Sequence, residues 1–204
     1  MTELPVTEQG RATRERIVRA AAQLIAERGA AGTSLDDVRA LSAASKSQLY
    51  HYFGDKHGLV AAVVEYQCAT VLELQLRALG AVEDWDGLER WRDLMVALVA
   101  EHGGRGGCPI GTLAAALADT DEPLRVSLDE AFGRWSEAIH GALARLRDHG
   151  SIPVDADIER LTTITLAAVE GGLLLSKTSR DPDRLRIALN GALAQLGAQA
   201  PAGA

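Results

Sequence analysis

The chain has 204 residues, 47% hydrophobic and 24% charged, which excludes wholesale disorder and leaves enough chain for one domain or two small ones. Only 4% of residues are aromatic, β-branched residues are few, and alanine and leucine abound, a balance that favours helices. The net charge of −7 opposes a nucleic-acid partner as a bulk figure, but residues 1–60 hold eight Lys/Arg against seven Asp/Glu and the remainder 13 against 21, so the acidity belongs to the second part.

In chain order, Met1 to about Gly10 is polar and reads as a flexible start. Ile17, Ala20, Ala21, Leu24 and Ile25 then fall on one helix face, with Gly29 as the stop. Ser34 caps a short helix to about Leu41, with Asp37 in the place of the usual Glu of a capping box. Ser42–Ala44 is a short link. Ser45 caps a third helix, Lys46 to Phe53, and Gln48 completes its capping box. Gly54 ends that helix, and Asp55 starts one that reaches about Leu79.

Gly80–Asp84 breaks the chain. Leu88, Trp91, Met95 and Val99 stripe a helix from about Asp86 to His102. The glycine-rich run Gly103–Pro109 reads as a flexible loop, followed by a short helix, Ile110–Ala118. Pro123 is placed at the first position of a helix carrying Leu124, Leu128, Ala131, Phe132, Trp135, Ile139, Ala142 and Leu146. After Gly150–Val154 a long helix runs from about Asp157 to Ser179. Asp181-Pro182 opens the last helix, which ends near Gly197, and Ala198–Ala204 reads as a frayed tail. The expectation is an all-α protein of about nine helices and no strands.

Cys68 and Cys108 cannot form a disulfide framework, and no apolar stretch follows Met1. The apolar stretch Leu161–Leu175 is broken by Thr162, Thr163, Thr165 and Glu170, too short and polar for a membrane span. A cytoplasmic protein with no membrane partner is expected. The five histidines are scattered without metal-ligand spacing, and there is no phosphate loop or nucleophile elbow. No catalytic residue, metal or cofactor is expected, and a small helical enzyme is the remote alternative.

Short helix, tight turn, short helix over residues 34–53 is the sequence form of a helix-turn-helix unit, although many helical bundles have such corners. The chemistry of the third helix favours DNA. Lys46 supplies charge at its start, Ser47 and Gln48 suit base edges, and Tyr50 and His51 are long enough to reach phosphates. Lys56, opening the next helix, can clamp another phosphate. Against this, a polar helix face is commonly just solvated, Gln48 has its own cap to fill, and Tyr52 and Phe53 read more naturally as core.

Thr33-Ser34-Leu35-Asp36-Asp37-Val38, then Ser45-Lys46-Ser47-Gln48-Leu49-Tyr50-His51-Tyr52-Phe53, then Asp55-Lys56, resemble the DNA-binding domain of the TetR family of bacterial repressors over about residues 13–60. The departure is Ala43, where the family commonly has glycine; it must accept a left-handed backbone at some cost or shift the turn. The resemblance implies that Ser34 and Ser45 hold phosphates, that Lys46, Ser47 and Gln48 face bases, and that Tyr50, His51 and Lys56 grip the backbone, with Tyr52 a weaker contact. It implies a core of Ile17, Leu24, Val38, Leu49 and Phe53, a DNA-binding domain at 1–54, and a ligand-binding and dimerisation domain at 55–204. The partners implied are double-stranded operator DNA, a small-molecule effector and a second copy of the chain.

Cys108-Pro109-Ile110-Gly111, with Leu113 and Leu117-Ala118-Asp119, resemble more loosely a sub-group of that family related to regulators of drug-efflux genes. The large side chains Trp91, Met95, Phe132 and Trp135 suit the walls of an effector pocket, and Cys108, Thr165 and Glu170 its polar groups. Cys108 beside Arg105 alternatively suggests a redox-sensing thiol, since a nearby cation lowers a thiol pKa. The segment 161–175, apolar almost all round, and the last helix point to a four-helix C₂ interface with Leu161, Gly171, Leu174, Leu189 and Leu193, the alternative being the core of the monomer.

Overall fold

The computed structural model describes residues 7–197. Among them are nine helices and no strand: α1 Glu8–Arg28, α2 Leu35–Ser42, α3 Lys46–Phe53, α4 Lys56–Gly80, α5 Trp85–Glu101, α6 Pro109–Leu117, α7 Glu122–Asp148, α8 Ile158–Ser179 and α9 Asp183–Gly197. The described residues divide into two compact units, 7–70 with 112–128, and 71–111 with 129–197.

In the first unit the apolar stripe of α1 (Ile17, Ala21, Leu24, Ile25) is buried with Val38 of α2, Leu49 and Phe53 of α3, and Leu59 and Val63 of α4. α1 begins earlier than the apolar stripe announces. Thr7 caps it by accepting from the Gly10 N–H, so residues 8–10 are helical rather than flexible. Residues 1–6 and the tail after Gly197 lie outside the described residues.

α2 runs one residue further than expected, to Ser42, and the turn is made by Ala43 at φ 51°, ψ 29°. The alanine therefore accepts the left-handed conformation, which costs a non-glycine residue about 1 kcal/mol. Ala43 is exposed and nothing else holds it there. Ala43→Gly is expected to stabilise the protein by up to about 1 kcal/mol, read as a higher denaturation midpoint at unchanged m-value.

In the second unit the core is formed by Leu79, Leu88, Trp91, Ile110, Trp135, Ile139, Leu143, Leu146, Leu161, Leu185 and Leu189, all nearly or wholly inaccessible. Arg145 of α7 donates to the Leu79 carbonyl in the last turn of α4 at 2.7 Å and to the Val82 carbonyl just beyond it at 2.8 Å, holding the end of that helix. Asp121 caps α7 through the Leu124 N–H, so Pro123 occupies the second helical position rather than the first.

The glycine run 103–107 is docked rather than loose. Gly104 and Gly107, at φ 70° and 73°, lie against α8: a Cβ on Gly104 would be 2.8 Å from the Arg180 carbonyl carbon, one on Gly107 3.2 Å from the Lys177 side chain. The glycines here permit close approach as much as they permit turning.

α4, not the 161–175 segment, is the one described helix long and apolar enough by composition to cross a membrane. Its Leu59, Val63, Val64, Leu72 and Leu79 are buried within the protein, as in a core helix.

Candidate nucleic-acid interface

α3 is eight residues long, too short to persist without help from its ends and its packed face. Its N-terminus is closed by a full capping box: Ser45 Oγ accepts from the Gln48 N–H at 3.1 Å, and Gln48 Oε1 accepts from the Ser45 N–H at 2.9 Å. Leu49 and Phe53 bury the inner face. Arg14 of α1 lies over the Phe53 ring at 5.5 Å and pairs with Glu65 at 3.9 Å.

What remains outward is a ridge of Lys46, Ser47, Tyr50 and His51, all exposed at i, i+1, i+4 and i+5. The Lys46 ammonium stands 5.9 Å from the Tyr50 ring centre, and His51 leans on Tyr52 at 5.0 Å. Tyr52 is half-buried against Phe53, as its weaker expectation anticipated.

Gln48 is half-buried and its Oε1 is committed to the cap. The cap bond fixes the amide's orientation and occupies one lone pair of Oε1, leaving the NH₂ as its freest group toward a base. Ser34 is similarly committed, accepting from the Asp37 N–H and donating to the Asp37 carboxylate. Those bonds from Ser34, aided by Arg28, hold the Asp37 carboxyl below its usual range.

Many cations of this unit face carboxylates: Arg19 with Glu15, Arg28 with Asp37 and Arg39 with Asp36. Among the described residues Lys46 and Lys56 pair with no acid. Lys56 instead donates to the Ala31 carbonyl at 3.3 Å, beside the α2 entrance. Neighbouring His57 meets Asp121 at 2.7 Å, a contact 64 residues apart in sequence that sequence reading missed. The other oxygen of Asp121 caps α7.

The effector candidates in the second unit sort by hydrogen-bond accounting. Trp91 donates to Gln75 Oε1 at 3.0 Å and Gln75 donates to Met95 Sδ at 3.0 Å, all three side chains being buried. Trp91 and Met95 are thus satisfied core, joined by a buried glutamine that the sequence showed only as a polar residue between Leu72 and Leu79. Thr165 donates to the Leu161 carbonyl of its own helix. Phe132 is half-buried. Trp135 Nε1, Thr162 Oγ1 and Glu170 Oε1 are buried with no hydrogen-bond partner.

Cys108 and Glu170 come together. The thiol lies beside the Glu170 carboxylate and its sulfur accepts from the Gly111 N–H at 3.4 Å. Burial first, and the Glu170 charge second, push the Cys108 thiol up, well above the ordinary cysteine range. This weighs against the redox reading, which needs a thiolate stabilised by a cation: Arg105 is exposed and Cys108 is buried against a carboxylate.

Among the described residues no three His, Cys, Asp or Glu side chains converge as metal ligands.

Residues 17–63 match the family model of bacterial regulatory proteins of the tetR family, and residues 85–190 match that of the C-terminal domain of LmrA/YxaF-like transcriptional regulators. An uncharacterized HTH-type transcriptional regulator of Mycobacterium tuberculosis is 32% identical over 175 residues, spanning 82% of this chain and 86% of that one. The HTH-type transcriptional regulator LmrA of Bacillus subtilis is 28% identical over 171 residues, spanning 83% and 88%. Among solved structures, a TetR transcriptional regulator from Chloroflexus aurantiacus superposes with a TM-score of 0.83 at 27% identity, covering 95% of this chain and 98% of that one.

The chain belongs to the tetR family of bacterial transcriptional regulators. These relatives are regulators of transcription and not enzymes, and regulators of the tetR family bind operator DNA and form dimers.

The residues expected at the dimer interface divide sharply. Leu161, Leu189 and Leu193 are 1%, 0% and 3% exposed in the single chain, so they are core and have no surface to offer a partner. Gly172 likewise faces inward: a Cβ there would be 2.9 Å from the Leu185 Cα of α9. Gly171 is exposed with open space beside it, and Leu174 is 63% exposed. Sequence reasoning missed Leu175 and Ile187, at 55% and 63%. Both look like core by composition, and only the helix phase reveals them as outward.

Proposed function

We propose that this regulator is a cytoplasmic repressor whose dimer sets two α3 helices in successive major grooves of a palindromic operator, one helical turn apart. DNA binding is assigned to residues 1–54, ligand binding and dimerisation to 55–204. The observation that carries the reading is the outward α3 ridge, capped at its start and anchored by Leu49 and Phe53. Lys46 and Ser47 serve the base edges, joined by the Gln48 NH₂. Tyr50, His51 and Lys56 serve the phosphates, with Ser45 at the helix start and Tyr52 at the margin. Ser34, its hydroxyl committed to Asp37, has least to give.

Dimerisation is assigned to the outward face of α8 and α9, with Gly171, Leu174, Leu175 and Ile187. A small, largely apolar ligand lowers operator affinity by preferring the arrangement in which the α3 helices do not match the groove spacing. It does so only to the extent of its differential affinity for the two arrangements. Trp135 and Glu170, with unmet hydrogen bonds, and half-buried Phe132 are the most promising contacts.

The test is fluorescence anisotropy on a palindromic duplex selected in vitro with the full chain, across salt concentrations. Lys56→Ala is expected to weaken binding and to flatten the salt slope by about 1 for each phosphate left without its lysine, about 2 for the dimer. An unchanged slope and affinity would overturn the assignment of Lys56. Effector control is read in the same assay with a panel of neutral aromatic compounds.

A further inference from the structure

Glu170 is a carboxylate without a counter-charge. It is half-buried mid-way along α8, between buried Val169 and exposed Gly171. Its Oε1 is buried and accepts no hydrogen bond. Its Oε2 lies over the α-carbon of Gly111, so close that a methyl group at that position would collide with it. Among the described residues no Lys, Arg or His pairs with it, and the Cys108 thiol lies beside it. Burial pushes the carboxyl above its usual range, and the thiol only partly opposes this.

The surroundings are built to keep that carboxylate where it is. The segment 104–111 follows one stripe of α8: Gly104 against Ser176 and Arg180, Gly107 against Lys177, Gly111 against Glu170. At each contact the absence of a side chain lets the segment close on the helix. The nearest cations along α8, Lys177 and Arg180, lie two turns or more from Glu170, and the Lys177 stem lies against Gly107.

A buried, unmet oxygen of a half-buried carboxylate is relieved by a proton or by a cation that also donates hydrogen bonds. A metal ion does not fit, because hard cations need several oxygen ligands and among the described residues no three His, Cys, Asp or Glu side chains converge. An ammonium group answers that chemistry, with one positive charge and donors for Oε1. We propose that Glu170, backed by Cys108 and Gly111, anchors the ammonium group of an organic amine effector. This rests on the effector reading given above and adds the chemical class of the ligand.

The experiment is isothermal titration of the full chain with 1-naphthylmethylamine and with 1-naphthalenemethanol, which share one aromatic body and differ in charge. The amine is expected to bind at least tenfold more tightly. Glu170→Gln, nearly isosteric, is expected to erase that preference. Gly111→Ala, which displaces Oε2, is expected to reduce the preference while Glu170 remains present. Equal binding of the two compounds, no binding of the amine, or a preference that survives Glu170→Gln overturns the proposal.

So does a Glu170→Gln protein whose dimer weakens in sedimentation while its ligand binding is unaltered, since that marks a basic residue of a second copy as the counter-charge. Release of operator by neutral aromatic compounds is measured separately. The effector reading therefore stands if only the amine preference fails, and falls if no compound alters operator affinity.

Discussion

Replacing Leu174 and Ile187 together by glutamate is expected to yield a folded monomer whose operator affinity is at least a hundredfold lower. The two residues are exposed to 63% each, on helices that pack against one another. Ala167, Gly171 and Leu174 follow each other at i, i+4 and i+7 on α8, and Ile187, Gly191 and Ala194 do so on α9, all exposed. Small residues flanking a few large apolar ones suit close approach by a symmetry mate. In an isologous interface each substitution appears twice, so the double change sets four carboxylates close to one axis. Like charges buried without partners are strongly disfavoured.

The protomer itself is indifferent, because exposed substitutions away from special features shift stability by about 0.5 kcal/mol or less. Operator affinity falls because a dimer engages its second half-site at an effective concentration a free monomer lacks, a gain of about 10² to 10⁴. Sedimentation and anisotropy read the two consequences separately. A variant that remains dimeric would place the interface elsewhere. Truncation at Leu189 is expected to behave differently, costing about 2–5 kcal/mol of protomer stability, since that side chain fills the core.

That contrast marks what a single sequence shows and what it hides. The helix-turn-helix was readable because its signals are local: Ser34 with Asp37, and Ser45 with Gln48, are boxes closed within four residues, and both are formed. The outward ridge of α3 followed from them by phase alone. In α8 and α9 the apolar residues surround the helix, so composition does not say which face meets the protomer and which is left open. Leu161, Leu189 and Leu193 were placed outward although they point in.

Contacts between distant segments were hidden for the same reason. Nothing near His57 predicts Asp121, and nothing near Gln75 announces that it joins Trp91 to Met95. Glu170 did stand out as a charge in an apolar helix. Its true neighbours, Cys108 and Gly111, became visible only when the glycine run was found lying along α8. The same docking favours a buried, inert Cys108 over the redox alternative, which rested on the sequence proximity of Arg105.

The adjacent glycines of α8 should respond differently to one added methyl group. At Gly171 a Cβ meets nothing within 4 Å, so Gly171→Ala gains the helix propensity of alanine, about 1 kcal/mol. At Gly172 a Cβ would lie 2.9 Å from the Leu185 α-carbon, 2.7 Å from Leu185 Cδ1 and 3.2 Å from the Ala188 methyl. The side-chain atom can turn away but the backbone of α9 cannot, so the two helices must separate. Overpacking of this kind costs about 1–3 kcal/mol, set against the same propensity gain.

The propensity gain is common to both, so the two variants are expected to differ by the overpacking cost, about 1–3 kcal/mol, with Gly171→Ala the more stable. Chemical denaturation in the monomeric Leu174→Glu/Ile187→Glu background reads the protomer alone. In the dimeric parent Gly171→Ala carries a second consequence. If the symmetry mate approaches at that glycine, the same methyl group that strengthens the protomer weakens association. The variant then gains denaturation midpoint as a monomer while losing dimer affinity. Equal stability of the two alanine variants would contradict the close contact of α8 and α9 at Gly172.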